Sequence, residues 1–461
     1  MTFIIAAYCL ALCVAVFFLK VAPSWGLSIA KSKQTVFFSF MFFPVMLIGI
    51  SALASVLNAL LGIADMYLVL TTGFYVAVSS FLLVMMRGLK DNLPKHVLVY
   101  LSIVIVVTAA LTIGFSRLPI FGWDAVDFWT AYAGDFLNYS SQGITEPFDY
   151  WNYKHPRTVS YIQILSYGFW PGSELQIPLV AINLLAVALP IYGFLNLWPV
   201  QQPKAQLVLV AILAVYSIPL LENHINISGY AEIYIFSLIL VCSSLIALSR
   251  FFLEPHRVIA VAYISALLLV TLKTLGPYLV ALLILAHLIV VVKLTLREGV
   301  LVSLAGTSLI FLIYVYGFSF SLAGQTVSLE PSFQSVMMGG WNMQLRINSL
   351  KDLVAVVSTG FAANSSFSIW FLISITSFLY VLQTKPAFAK EATWIAAYGF
   401  SIMLLISLHV ALTKYGLDHA LPGSDTAFSR FSLAGFAPTI IVLIMLCSHK
   451  PITKAGTYGR V

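Results

Sequence analysis

Three carboxylates recur at helical spacing after residue 120. In the segment opening Gly122-Trp123-Asp124-Ala125-Val126-Asp127-Phe128-Trp129, a helical repeat puts Asp124, Phe128, Ala131 and Asp135 on one face, with Asp127 beside it. Carboxylates grouped in this way can exchange a proton with a reacting hydroxyl. Trp123, Phe128, Trp129 and Tyr132 flank them with aromatic rings suited to a membrane interface. On spacing alone, a simpler reading also stands: an interfacial helix whose acids face water. Four further motifs carry charge. They are Trp151-Asn152-Tyr153-Lys154-His155-Pro156-Arg157, Gly229-Tyr230-Ala231-Glu232, Lys273-Thr274-Leu275-Gly276-Pro277 and Ser429-Arg430-Phe431. Cations such as His155, Arg157, Lys273 and Arg430 can stabilise negative charge that builds up in a reaction. Each also fits an interfacial anchor, a turn or a solvated helix end. Glu232 is favourable near a helix N-terminus without any function.

The elements that must position these residues are read from composition. The chain has 461 residues, 61% hydrophobic and only 9% charged, with a mean hydropathy of +0.98. A soluble domain carries about 25% charged residues, so this chain cannot cover a water-facing surface, and lipid must be its solvent. The net charge of +7 comes from Lys and Arg scattered among short loops. With no basic stripe interleaved with aromatics, nucleic acid is excluded as a partner. Cys9, Cys13, Cys242 and Cys447 all lie in apolar runs, which points to inert packing rather than disulfides or metal ligation. No metal-ligand set or cofactor motif stands out.

Spanning the hydrocarbon takes about 20 apolar residues in a helix. Runs near 2–19, 36–62, 66–86, 97–116, 176–197, 205–221, 229–249, 258–272, 276–292, 300–322, 366–383, 391–412 and 430–447 qualify. The expected fold is therefore an all-α polytopic membrane protein of about 13 spans. The apolar stretch 158–170 is short and is expected to dip into, or lie along, the outer leaflet. The first run lacks a basic leader and a small-residue cleavage site, so it reads as a retained helix. With the N-terminus outside, 16 of the 24 Lys and Arg fall on the cytoplasmic side, although the outer segments are longer. That bias fits the positive-inside rule and leaves the C-terminus in the cytoplasm. Acidic and His residues cluster instead at outer ends, and His287 is the clearest ionisable residue in mid-span. A proton-coupled carrier needs charge near the midplane, so this pattern points to a catalytic face at one membrane surface. The long outer stretches 117–157, 323–365 and 413–429 have the length of functional loops.

Taken together, these motifs resemble those of bacterial members of the GT-C superfamily. These are integral-membrane glycosyltransferases related to the dolichyl-phosphate-mannose protein mannosyltransferases. The shared features are an early outer Trp-Asp-Ala, a His-Pro before a short apolar helix and a Gly-Tyr-Ala-acid at a helix start. A Lys-x-x-Gly turn and an Arg opening the last helix complete the order. The resemblance covers about residues 97–447. It divides the chain into additional N-terminal helices (1–96), a catalytic module (97–449) whose first outer loop is 117–157, and a tail (450–461). The chain departs from the family's common His-Pro-Asp-Tyr-Pro and Lys-Asn-Glu-Gly in reading His155-Pro156-Arg157-Thr158-Val159 and Lys273-Thr274-Leu275-Gly276.

The resemblance implies transfer of a sugar from a polyprenyl-phosphate donor to a lipid, glycan or protein acceptor. The transfer takes place at the extracytoplasmic face of a bacterial inner membrane, by a metal-independent general-base route with no cofactor. Asp124 becomes the base. Lys273 and Arg430 would bind the donor phosphate, with His155 and Arg157 assisting. Asp127, Trp123, Tyr230 and Glu232 would orient the acceptor, and Glu232 could instead hold Lys273. Two rivals remain open: a transporter or flippase of a lipid-linked sugar, and an enzyme like the O-antigen polymerases and ligases, which use diphosphate-linked glycans.

Overall fold

The computed structural model describes residues 31–61, 133, 158–168, 176–198, 231–252, 254–273, 275–316, 318–322, 325–329, 358, 365–384, 388–412 and 427–447. In chain order these form α1 (Lys31–Leu61), α2 (Thr158–Gly168), α3 (Gln176–Leu197) and α4 (Glu232–Ser249). There follow α5 (Pro255–Leu267), a 3-10 turn (Leu268–Thr271), α6 (Gly276–Val291) and α7 (Leu296–Tyr316). A β-hairpin of β1 (Phe318–Leu322) and β2 (Gln325–Leu329) comes next, then α8 (Ser365–Thr384), α9 (Ala389–Leu412) and α10 (Ala427–Cys447). Helices dominate because backbone groups taken out of water must bond within their own segment. Apolar segments of α4, α7 and α9 (Glu232–Ser249, Leu296–Tyr314 and Ala389–His409) are long and apolar enough to cross a membrane. The architecture is consistent with a helical membrane protein.

The helix α4 is central. It packs against α10, α5, α3, α1 and α9, and every one of its residues is buried. A helix that is apolar all round has no preferred outer face and is stable in such a position. By contrast α7 is also apolar, with a mean hydropathy of 1.7 against 2.0 for α4, yet only 22% of its span is covered by protein. Leu301, Leu304, Leu309 and Leu312 are exposed along it, as are Ile284, Leu288 and Val291 on α6. In water such a surface would aggregate, whereas against lipid tails it carries no penalty.

Between the helices, packing is completed by single polar contacts. Cys242 Sγ donates to the Ala262 carbonyl (3.3 Å), linking α4 to α5, and Trp394 Nε1 donates to the Leu283 carbonyl (3.2 Å), linking α9 to α6. Thr439 Oγ1 gives its proton to the Gly435 carbonyl (3.0 Å), so Ser374 Oγ must be the donor in the 2.6 Å contact that ties α8 to α10. At the start of α7, Thr295 and Glu298 form a reciprocal cap. The Thr295 amide donates to Glu298 Oε2 (2.8 Å) and the Glu298 amide to Thr295 Oγ1 (3.4 Å).

The apolar stretch expected at 158–170 is the helix α2, and the run 176–197 is α3 from end to end. Two expectations are corrected. The fold is helical as expected, but residues 318–322 form one strand of a short hairpin rather than the end of a span. The antiparallel pairing of Phe318 with Leu329 and of Phe320 with Val327 follows a two-residue alternation that a helix cannot use. The preceding helix also starts earlier than expected, at Leu296, where the Thr295–Glu298 cap stops it fraying. Of the cysteines, Cys242 is buried as expected, but Cys447 is exposed at the end of α10. The runs 2–19, 66–86, 97–116 and 205–221 lie outside the described residues, as do Cys9 and Cys13.

Candidate functional site

Two of the charged motifs meet. Lys273 Nζ donates to Glu232 Oε1 at 2.7 Å, and both side chains are buried, with relative exposures of 4% and 2%. Their meeting follows from helix lengths. From Glu232 the chain descends 18 residues of α4, about 27 Å at 1.5 Å per residue. It then returns along 13 residues of α5 and the 4 of the 3-10 turn, about 28 Å with the longer 3-10 rise. Since α4 and α5 pack antiparallel, the ascent ends level with the start of the descent. A lysine just beyond that point lands beside a glutamate just at the beginning.

The turn after Lys273 explains the Lys-x-x-Gly spacing. The Gly276 amide donates to the Lys273 carbonyl (2.8 Å), and the Gly276 Cα lies directly over the Leu269 carbonyl, so that any Cβ would collide with Leu269 and Val270 backbone. Pro277 follows in the first helical turn, where its missing N–H is not needed. The glycine therefore lets α6 leave across the 3-10 turn that presents Lys273. Gly276→Ala is expected to cost about 1–3 kcal/mol, as overpacking does, and to lower the thermal unfolding midpoint of the detergent-solubilised chain. An unchanged midpoint would show that the turn can relax.

Electrostatically the pair is net neutral, and both of its members are buried. Such a pair is stable only while both partners remain, because a single buried charge has nothing to replace its hydration. Chemically it fixes an ammonium group at the junction of α4, the 3-10 turn and α6. Glu232 is the first residue of α4, a position where a negative charge interacts favourably with the helix N-terminus.

Other motif residues are placed less fully. Arg430 lies in the first turn of α10. Gly435 faces Met403, and Gly399 faces Pro438 and Thr439, so α9 and α10 run antiparallel and the start of α10 is level with His409. His409 meets Tyr314 edge-on (5.6 Å) and Tyr314 meets Tyr278 (5.0 Å). Because Tyr278 sits in the first turn after Lys273, the start of α10 belongs to the same end of the bundle as the ion pair. Asp124, Asp127, Trp123, His155, Arg157 and Tyr230 lie outside the described residues.

The row Tyr278, Tyr314 and His409 was not singled out from the sequence. The signal was present: His409 is an ionisable residue in the last turn of an apolar span, and Tyr278 directly follows Gly276-Pro277. At the other end of α6, His287 is not isolated in the span. Its ring stacks on Trp394 (3.9 Å, 8°), and Nδ1 shares a 2.7 Å hydrogen bond with the Tyr263 hydroxyl. Comparison with protein-family models, curated proteins and solved structures returns no match for this chain.

Proposed function

We propose that the protein is a polyprenyl-phosphate-sugar-dependent glycosyltransferase of GT-C type, with about 13 transmembrane helices and its reaction centre at the extracytoplasmic face. The observation that carries this reading is the buried Glu232–Lys273 contact, in which two motifs 41 residues apart meet at the end of the bundle where the Arg430 helix begins. The shortage of mid-span charge supports an enzyme over a carrier, since a flippase needs a polar path between leaflets.

In this reaction the acceptor hydroxyl attacks the anomeric carbon of the donor sugar. Its proton passes to the Asp124 carboxylate as the bond from that carbon to the phosphate oxygen breaks. Polyprenyl phosphate leaves, and the charge on its oxygens is met by Lys273 and Arg430, with His155 and Arg157 assisting. Glu232 holds Lys273 in place, while Asp127, Trp123 and Tyr230 orient the acceptor. The oxocarbenium-like character of such transfers makes proton removal and leaving-group stabilisation the two levers a protein can supply.

The test is consumption of donor by the purified full chain in detergent, where no compartments exist to support transport. Polyprenyl-monophosphate sugar is expected to be consumed and the diphosphate-linked glycan not. Consumption of the diphosphate alone would favour the polymerase-like chemistry. A chain that moves lipid-linked sugar between leaflets of vesicles without consuming it would overturn the enzyme reading.

A further inference from the structure

Toward the end of the bundle remote from Lys273 lies a second constellation, its His287 eleven residues along α6 from Gly276, about 17 Å. Here α5, α6 and α9 meet around Tyr263, His287 and Trp394. The indole ring is buried, while His287 and Tyr263 are partly exposed. They sit beside the outward-facing Ile264 of α5 and the outward-facing Ile284 and Leu288 of α6. Nδ1 of His287 is engaged by Tyr263, so Nε2 is the ring nitrogen left at the rim of this apolar surface.

Basic residues lie just beyond, on all three helices. Lys390 is one turn before Trp394, about 6 Å along α9, and Lys293 is six residues past His287, about 9 Å along the path of α6. Arg257 is six residues before Tyr263 on α5. Among the described residues, the carboxylates at this end are Glu254, Glu298 and Glu391. Glu254 is paired with Arg257 and lies 3.8 Å from His256. Glu298 is taken up by the Thr295 cap, leaving Glu391 as the opposing charge beside Lys390. Among the described residues Lys293 and Lys390 form no ion pair, and Arg250 and Arg297 add to the same sign.

Lys293 adds a second observation. It terminates α6 with φ of 56°, the left-handed conformation in which helices usually place glycine. Its amide bonds to the Val290 carbonyl (3.2 Å), and the Leu294 amide bonds to that of Ile289 (3.3 Å). Glycine would close this turn with less strain. A lysine there puts a free ammonium at a helix C-terminus, where the dipole already favours a cation.

We propose that this surface binds an anionic glycerophospholipid. One acyl chain lies along the apolar faces of α5 and α6, and His287 Nε2 lies at the depth of the glycerol esters. Lys293 and Lys390 meet the headgroup phosphate. The order of groups along the helices, from apolar face to imidazole to paired lysines, is the order along such a lipid from tail to ester to phosphate. The charge distribution along the chain assigns this end to the cytoplasmic leaflet, where anionic lipid is bound by juxtamembrane basic residues. The inference is independent of the glycosyltransferase reading, since it uses the opposite end of α6.

The test is native mass spectrometry of the full chain in detergent, titrated with phosphatidylglycerol or phosphatidylcholine of matched acyl chains. The parent protein is expected to retain phosphatidylglycerol preferentially. Lys293→Gly is expected to melt no lower than the parent while losing about five-fold in that preference, and Lys293→Gly/Lys390→Gln about 25-fold. Equal retention of the two lipids by the parent would overturn the proposal, as would an undiminished preference in the double variant. Displacement of the bound lipid by inorganic phosphate at comparable concentration would also overturn it, by showing a site for free anion.

Discussion

Glu232→Met and Lys273→Met, made singly, are each expected to lower the stability of the solubilised protein by about 3–5 kcal/mol, the range for stranding one member of a buried pair. That is a large share of the stability a folded chain possesses. The double variant Glu232→Met/Lys273→Met is expected to recover most of the loss, because two apolar side chains of similar length need no hydration. Thermal unfolding of all four proteins measures the coupling directly. Additive losses would show that the 2.7 Å contact contributes nothing as a pair. The double variant also separates two roles of Lys273. With the fold restored, a raised KM for the polyprenyl-phosphate donor assigns the ammonium to phosphate binding. Unchanged donor kinetics would leave the pair as a strut that ties α4 to the turn before α6.

The second large effect is expected at Asp124. Asp124→Asn keeps the size and most of the hydrogen-bonding capacity of the side chain but cannot accept the proton of an attacking hydroxyl. A fall in turnover of about 10²–10⁴-fold is expected, with an unchanged melting midpoint and an unchanged donor KM. A loss confined to kcat/KM through KM would place Asp124 in binding instead, and near-normal turnover would remove it from the reaction altogether. Because Asp124 and the Glu232–Lys273 pair are tested by different readouts, failure of one leaves the other standing.

Much of the helical framework was legible from apolar run length. The run 176–197 matches α3 at both ends, and the runs 366–383 and 391–412 match α8 and α9 to within two residues. A stretch long and apolar enough to span is a property of the segment itself and needs no partner. The strand at 318–322 was misread for a related reason: Phe-Ser-Phe-Ser-Leu is apolar on average, and the average concealed its two-residue alternation. The candidate site was legible as separate motifs, with a hold of Glu232 on Lys273 as one of two alternatives that only the structure separated. Nothing local to Lys273 says that Glu232 is its partner.

By itself, then, the sequence determined that this chain is helical, that its helices are apolar in the manner of a membrane protein, and where several of the described helices begin and end. It also determined which charged residues stand at helix ends, since placing a charge in hydrocarbon is costly wherever the helix sits. Only the tertiary structure decided which helix is central. Both α4 and α7 are long and apolar enough to span, yet α4 is wholly enclosed and α7 is largely bare, because lipid and protein interior are both apolar and mean hydropathy does not tell them apart. The tertiary structure also decided the Glu232–Lys273 pairing and the stacking of His287 on Trp394. Both contacts depend on how far antiparallel helices run before turning, which brings together residues that no local pattern connects.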